Sequence, residues 1–426
     1  MQITILIVGS RGAVQPPLAL GLGLQQAGHE VRLATHTAFR QFVTERGLGF
    51  AVLGGDPRQL VQQQMEPSSR PSPVRIARRL ARLVRPRLEP FWHQVLADAW
   101  DACQGAEAII CNSVAMVAGY HIAEKLGVPY YTVSQQPWSR TRAFPSMYAP
   151  GGLSLGGTYN WLTHVLVERL LWGAFQRPVN RWRRETLGLS PTSAVAPYKQ
   201  LNGKPIPFLY GYSPSVVPKP SDWADWVHVT GYWFLDRLPD WQPPADLIEF
   251  LAAGPPPVCI GFGSMVNERS GRLLEMAVDA LACEGQRGIL LTGWAESGRI
   301  GRLNRVLMAR DIPHDWLFPQ IAAVVHHGGS GTTAAGLRAG VPSVVIPFFG
   351  DQPFWGRRVA ELGVGPEPIP RQQLTAERLA RAIRAAVTDR EMGVRAAALG
   401  ARIRAEDGIG RAVEAIQAFA ARSAGA

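Results

Sequence analysis

The sequence has few cysteines, and their spacing indicates no metal site. Its 426 residues include four, and none of them belongs to a C-x-x-C pair. They are Cys103, Cys111, Cys259 and Cys283. Zinc-binding modules depend on such pairs, and small disulfide scaffolds need a much higher cysteine density. We therefore predict free thiols in a reducing compartment.

Long apolar runs are also missing. Although 46% of the residues are hydrophobic, no stretch approaches the ~20 apolar residues that a membrane-spanning helix requires. The apolar segment 3–8 is too short for the core of a signal peptide, and it has no basic segment or cleavage site beside it. These absences predict a cytoplasmic protein.

Acidic residues are outnumbered, with 33 Asp and Glu against 44 Lys and Arg. This excess of positive charge suits an anionic ligand or an anionic membrane surface, and nucleic acid is a third partner to consider. Because no zinc-finger spacing or RNP-like string is present, we predict no nucleic-acid partner. Residues 72–90 alternate arginines with apolar residues at helical spacing. Such a helix either lies peripherally on an anionic membrane or packs its apolar stripe on the core.

The order of apolar segments predicts an α/β fold with two Rossmann-like parallel-sheet domains. Residues 3–53 read as strand, helix, strand, helix, strand, and the same alternation restarts at residue 258 after a Pro-rich stretch. We predict a first domain over 1–235, a linker over 236–256, a second domain over 257–400 and a terminal helix over 401–426 that packs on the first domain. The first glycine turn is not G-x-G-x-x-G, which disfavours an oxidoreductase that uses a nicotinamide dinucleotide.

The most informative stretch is HHGGSGTTAAGLRAGVPSVVIPFFGDQ, residues 326–352. It reads as the end of a strand, a glycine turn, a short helix and a second strand that ends in a carboxylate and an amide. A glycine turn before a helix presents free backbone N–H groups to a phosphate, but it also occurs without a ligand. The candidate phosphate-binding residues are His327, Gly329, Ser330, Gly331, Thr332 and Thr333.

This stretch closely resembles the nucleotide-sugar signature of family 1 glycosyltransferases, in the form seen in sterol glucosyltransferases and bacterial antibiotic glycosyltransferases. The resemblance implies that His327 and the glycine turn hold the donor diphosphate, and that Asp351 and Gln352 receive the hydroxyls of the sugar. The upstream PHDWLFP, residues 313–319, resembles the sterol-glucosyltransferase segment that borders the nucleobase. There Trp316 either stacks on uracil beside Leu317 or simply packs.

The family resemblance implies the GT-B architecture, in which two Rossmann-like domains face a cleft and a C-terminal helix crosses back to the first domain. It also implies inverting transfer of a hexose, glucose from UDP-glucose, to a hydroxyl of an apolar sterol, terpenoid or polyketide. We expect no cofactor and no metal, since no D-x-D-like string is present. Further donor-binding candidates lie at other strand-ending turns: Ser10, Arg11, Gly12, Ser264 and Trp294.

Acceptor residues are predicted in the irregular, aromatic segment 136–157 and the long helical stretch after it, although such aromatics often form plain core. The candidates are Gln136, Trp138, Phe144, Met147, Tyr148, Trp161 and Phe349.

The expected catalytic base is missing from the first glycine turn. The string GSRGAVQP, residues 9–16, resembles the family's GSRGDVQP, in which the aspartate takes the acceptor proton. Ala13 stands at that position, and an alanine cannot accept a proton. Three interpretations remain open: an inactivated transferase, a different base such as His36, or a protein that binds nucleotide sugars without turning them over. A UDP-sugar epimerase on the same fold is a further alternative.

Overall fold

The computed structural model describes residues 1–56, 89–149, 155–192, 198–263, 271–292, 301–303 and 305–424. The chain forms two compact units. The N-terminal unit comprises Met1–Pro214, Pro218–Leu235 and Asp407–Ala426, and the C-terminal unit comprises Ser215–Val217 and Asp236–Glu406.

The N-terminal unit is built on a seven-stranded sheet of order β3-β2-β1-β4-β5-β8-β9, and all of its pairs are parallel. Its strands, with the separate hairpin β6–β7, are β1 (Gln2–Leu6), β2 (Glu30–His36), β3 (Gly49–Leu53), β4 (Ala108–Asn112), β5 (Tyr130–Ser134), β6 (Gln200–Leu201), β7 (Lys204–Pro205), β8 (Phe208–Tyr210) and β9 (Val227–Val229). The central strands β4 and β5 are buried along their whole length, as continuous apolar strands of a parallel sheet should be. The strand order reverses between β1 and β4, where open α/β sheets have their ligand crevice.

The C-terminal unit has a six-stranded sheet of order β12-β13-β11-β10-β14-β15. Its strands are β10 (Val258–Gly261), β11 (Gly288–Leu291), β12 (Gly301–Leu303), β13 (Val306–Ala309), β14 (Ala323–His326) and β15 (Ser343–Val345). Only β12 is antiparallel among these described strands. Here the strand order reverses between β10 and β14, so the turn after His326 lies at the switch point of this sheet.

Helices flank both sheets. In chain order they are α1 (Arg11–Gln26), α2 (Arg40–Thr44), α3 (Glu89–Ala102), α4 (Met116–Leu126), α5 (Gly156–Trp182), α6 (Ala245–Ala252), α7 (Gly271–Cys283), α8 (His314–Leu317), α9 (Ser330–Ala339), α10 (Gln352–Glu361), α11 (Ala376–Thr388), α12 (Arg390–Arg404) and α13 (Gly408–Ala424). Among the described residues, none of these helices combines the length and apolar character that a membrane crossing requires. The predicted α/β class with two Rossmann-like sheets is confirmed.

The final helix α13 packs within the N-terminal unit. The Tyr131 hydroxyl donates to the Ile416 carbonyl at 3.1 Å, and the Trp233 indole donates to the Gly408 carbonyl at 3.1 Å. Where α1 passes α13, a Cβ at Gly23 would lie 2.3 Å from Ile409 Cγ2, so the close approach requires glycine. The chain returns to this unit at residue 407, after α12 has ended in the C-terminal unit.

Candidate functional site

The glycine turn between β14 and α9 has the geometry of an anion site. Gly328 adopts φ +85°, which favours glycine, and a Cβ there would lie 2.6 Å from Val345 Cγ1. Gly329 is the N-cap residue, and its carbonyl accepts hydrogen bonds from the amide and the hydroxyl of Thr333, both at 3.0 Å. The three amides from Ser330 to Thr332 precede this first helical bond, so they have no intrahelical acceptor.

Within the described part of the chain, the start of this helix has no acidic residue and no side-chain cap to neutralise it. The positive end of the helix dipole and three unpaired amides therefore face the space beyond the turn, as in phosphate sites. Thr333 is almost fully buried, and its hydroxyl is used inside the turn. Its role is to shape the turn, whereas Ser330 and Thr332 remain partly exposed.

His327 lies against the same turn, between two glycines. A Cβ at Gly329 would lie 2.5 Å from His327 Nε2, and a Cβ at Gly263 would lie 3.2 Å from its Cε1. Its Nδ1 is buried and has no hydrogen-bond partner among the described residues. Burial, and then the neighbouring His314, lower the pKa of His327 to about 4. The imidazole is therefore neutral at pH 7 and acts through hydrogen bonding, not through a fixed charge.

His326, which the sequence reasoning did not single out, supports the turn from below. It is fully buried, and its Nδ1 accepts a hydrogen bond from the Gly328 amide at 3.0 Å. Burial is the largest cause that lowers its pKa to about 3, so the ring stays neutral and Nδ1 stays an acceptor. The adjacent pair of histidines in the sequence could have indicated this role. A polar residue at the end of a buried strand needs a hydrogen-bond partner, and a backbone amide of the following turn is the nearest one.

Asp351 and Gln352 lie at the start of α10, beyond the neighbouring strand β15 of the same sheet. The Gln352 side-chain oxygen accepts from the amides of Phe348 and Phe349 at 2.7 and 3.1 Å, so it holds the loop that carries Asp351. One carboxylate oxygen of Asp351 accepts from the indole N–H of the buried Trp355 at 2.8 Å. The carboxylate is thus held in place by a side chain that the sequence reasoning missed.

The nucleobase candidates Trp316 and Leu317 lie elsewhere in the C-terminal unit. The Trp316 ring contacts Trp241 at 5.4 Å between centroids and lines a pocket of about 390 Å³ with Ile248 and Pro256. Pro256 lies two residues before β10 begins at Val258, so this pocket is at the amino edge of the sheet. The glycine turn follows the end of β14 and is therefore at the opposite, carboxyl edge. Leu317 is fully buried in the core. This geometry disfavours stacking of Trp316 on a nucleobase and favours the packing interpretation.

The N-terminal glycine turn places Ala13 at the third position of α1, after the N-cap residue Ser10. The Ala13 amide donates to the Ser10 carbonyl at 2.8 Å, and the first turn of the helix has no acidic residue. Arg11 is exposed, and its guanidinium lies 5.1 Å from the centre of the Phe42 ring. A Cβ at Gly12 would meet no atom within 4 Å.

Both ring nitrogens of His36, the alternative base, are hydrogen-bonded to the backbone. Its Nε2 accepts from the Gly9 amide at 3.3 Å, and its Nδ1 pairs with the Gly54 carbonyl at 3.1 Å. The residue is fully buried, and burial is the main cause that lowers its pKa. With both ring nitrogens engaged, His36 holds the first glycine turn and is poorly placed to take a substrate proton.

Five of the acceptor candidates in the N-terminal unit lie on a loop that follows β5. The buried Tyr210 hydroxyl accepts from the amides of Trp138 and Ser139 at 3.1 and 2.7 Å, which fixes the start of the loop. The Trp138 ring lies 5.5 Å from Tyr148, and its indole nitrogen is buried without a partner among the described residues. Trp138 and Tyr148 are therefore brought together, and the Gln136 amide donates to a side chain at the end of β5.

The remaining acceptor candidates have different environments. Phe144 packs edge-on against Trp223 at 6.4 Å, and Met147 is buried. Trp161 on α5 is 37% exposed, with the Arg140 guanidinium 5.5 Å from the centre of its ring. Phe349 belongs to the C-terminal unit, where its amide is held by the Gln352 side chain as described above.

Some predictions fall outside the described residues. These are the donor candidates Ser264 and Trp294 and nearly all of the basic segment 72–90, as far as residue 88. Within the described part of the chain, no group of three or more His, Cys, Asp or Glu side chains could hold a metal ion. Metal independence remains a prediction.

Comparison with known proteins shows which proteins the chain resembles. The model of the glycosyltransferase family 28 N-terminal domain matches residues 3–145, and that of the erythromycin biosynthesis protein CIII-like C-terminal domain matches residues 300–409. Similar proteins include sterol 3-beta-glucosyltransferases of Neurospora crassa and Emericella nidulans, which are 40% and 42% identical over 98% of this chain. The chain is thus similar to glycosyltransferases over nearly its whole length. It spans 27% and 30% of the length of these two relatives.

Solved glycosyltransferases share the fold of this chain. The calicheamicin glycosyltransferase CalG4 has a TM-score of 0.71 at 18% identity, with 99% of this chain and 98% of the other covered. The glycosyltransferase VinC, solved with dTDP, has a TM-score of 0.68 at 21% identity, with 99% and 100% covered. These matches establish the GT-B fold, and together with the sequence relatives they confirm the predicted resemblance to sterol and antibiotic glycosyltransferases.

Proposed function

We propose that this glycosyltransferase transfers a hexose, glucose from UDP-glucose, to a hydroxyl of an apolar acceptor such as a sterol, with inversion at the anomeric carbon. The observation that carries the proposal is the uncapped start of α9 beside His327. A nucleoside diphosphate is the ligand whose charge this site suits best. The sterol 3-beta-glucosyltransferase relatives support glucose and an apolar acceptor.

In this reaction the acceptor oxygen forms a bond to the anomeric carbon while the bond from that carbon to the diphosphate breaks. The leaving diphosphate gains negative charge as that bond breaks. Preorganised amides and a helix dipole stabilise such charge without reorganisation. We assign this role to the amides of residues 330–332, with the neutral His327 as a further hydrogen-bonding group. Asp351, oriented by Trp355, is assigned to the sugar hydroxyls.

The proton of the acceptor hydroxyl has no evident destination at position 13. Removal of a general base typically costs ~10²–10⁴-fold in rate. We therefore propose that this chain binds its donor normally and transfers slowly. A protein that binds nucleotide sugars without turnover is the second candidate, and Ala13 is the observation that favours it.

Calorimetric titration with UDP, dTDP and NAD, followed by an acceptor screen with UDP-glucose, tests the proposal. We expect UDP to bind, NAD not to bind, and a glycoside to accumulate slowly with an apolar alcohol. His327→Ala should weaken UDP binding. The donor assignment is wrong if neither UDP nor dTDP binds. The assignment of His327 to the donor site is wrong if the His327→Ala variant binds UDP with unchanged affinity. Conversion of UDP-glucose without an acceptor would indicate an epimerase.

A further inference from the structure

The solvent face of α5 exposes large apolar side chains near its start. Leu162 is 52% exposed, Leu166 is 48% exposed, and Leu155, just before the helix, is 64% exposed. The opposite face carries the buried Trp172 and Trp182. Because α5 already buries that apolar face against the core, the exposed leucines are a second apolar surface on the same helix.

The same face becomes cationic along the helix. From Leu162 and Leu166, steps of three or four residues lead to Arg169, Gly173 and Arg177, all exposed. Residues spaced in this way share one face of a helix. Arg184, in the π-helical turn after α5, is exposed and continues the row.

No acidic residue interrupts the basic part of this face. Between residues 169 and 184 the sequence contains arginines and no Asp or Glu. Glu168, at the boundary, is paired with Arg140 and partly buried. At a rise of ~1.5 Å per residue, the 22 steps from Leu162 to Arg184 span about 33 Å. The face is therefore apolar at one end and carries the exposed Arg169, Arg177 and Arg184 over the rest, with Glu185 directly after the last of them.

We propose that this face of α5 is a docking surface for an anionic phospholipid membrane. Leucines at one end can enter the interface between headgroups and acyl chains, while the arginines that follow reach the lipid phosphates. Charge complementarity favours this occupant, since a row of exposed arginines suits a surface of diffuse negative charge. A nucleic acid would leave the exposed leucines in water. This surface includes none of residues 72–90, and the proposal does not depend on the proposed reaction.

Vesicle co-sedimentation tests the proposal with the full chain. The vesicles contain no sterol and no donor is added, so an acceptor site cannot account for binding. We expect binding to vesicles that contain phosphatidylserine, weak binding to pure phosphatidylcholine, and release by salt. Each arginine near an anionic surface contributes roughly fivefold, so Arg169→Gln/Arg177→Gln/Arg184→Gln should weaken binding on the order of 100-fold. Leu162→Gln/Leu166→Gln should weaken it by at least about 10-fold.

Matched controls separate this surface from general charge and hydrophobicity. Exposed arginines of the C-terminal unit are removed in Arg381→Gln/Arg390→Gln/Arg402→Gln, and exposed apolar residues in Ile248→Gln/Val394→Gln. Both control variants should bind vesicles as the unchanged chain does. Circular dichroism and UDP titration verify that each α5 variant is folded. The proposal is overturned if the unchanged chain does not bind, or if folded α5 variants bind as well as the controls.

Discussion

Replacement of Ala13 by aspartate is the most direct test of the proposed chemistry. The residue is partly exposed, at the third position of α1, so a longer side chain does not have to enter the core. If a base at this position takes the acceptor proton, turnover should rise ~10²–10⁴-fold. UDP affinity should stay within about twofold, because we assign the diphosphate to the other sheet.

The local structure also predicts a gain in stability. A carboxylate at the third position after Ser10 lies near the positive end of α1, whose first turn has no acidic residue. Such a charge contributes ~0.3–1 kcal/mol and favours the ionised form of the carboxylate. We expect Ala13→Asp to unfold at a slightly higher temperature at pH 7.

Ala13→Asn is the matched control, because it has nearly the same shape and cannot accept the proton. Initial rates of glycoside formation and calorimetric UDP affinities are measured for the unchanged chain and both variants. The reasoning is refuted if Ala13→Asp is no faster than Ala13→Asn. Rapid transfer by the unchanged chain would also refute it, since the base would then be at another position.

Three further predictions concern the glycine turn between β14 and α9 and a partly buried ion pair in the N-terminal unit. His326→Asn keeps an acceptor near the position of Nδ1 and should retain UDP affinity within about threefold, whereas His326→Gln should lose roughly 3–10-fold; equal affinities would show that His326 only fills space. Gly329→Ala forces His327 to move and should weaken UDP binding on the order of tenfold, while Gly393→Ala, where a Cβ meets no atom within 4 Å, should not. The partly buried Glu124 has its pKa lowered to about 2, against an ordinary value of 4.5, by the neighbouring His121 and by hydrogen bonds from the Arg183 guanidinium at 2.6 and 3.0 Å. Because that pKa is depressed on folding, the stability advantage over Glu124→Gln should be complete above pH 4.5 and shrink toward pH 2 in urea unfolding; a pH-independent difference would contradict it.

The sequence determined the alternation of strands and helices in both halves and the location of the diphosphate candidate. Short apolar runs between helical segments have few alternatives to buried parallel strands, so β1, β2, β10 and β14 could be predicted. The glycines at 328 and 329 also indicated the turn correctly, because a positive φ and a close approach to His327 require residues without a Cβ.

Only the tertiary structure decided what each polar side chain near those turns does. His36 is a candidate base from its position at the end of β2, but the amide of Gly9, brought across from β1, occupies its Nε2. Trp316 lies in a segment that resembles the family's nucleobase-binding sequence. Its ring nevertheless packs on Trp241 at the amino edge of the sheet. Trp355, which orients the carboxylate of Asp351, looks like any core aromatic in the sequence. Strand and turn signals are local in the chain, whereas hydrogen-bond partners are set by residues that meet only when the sheet assembles.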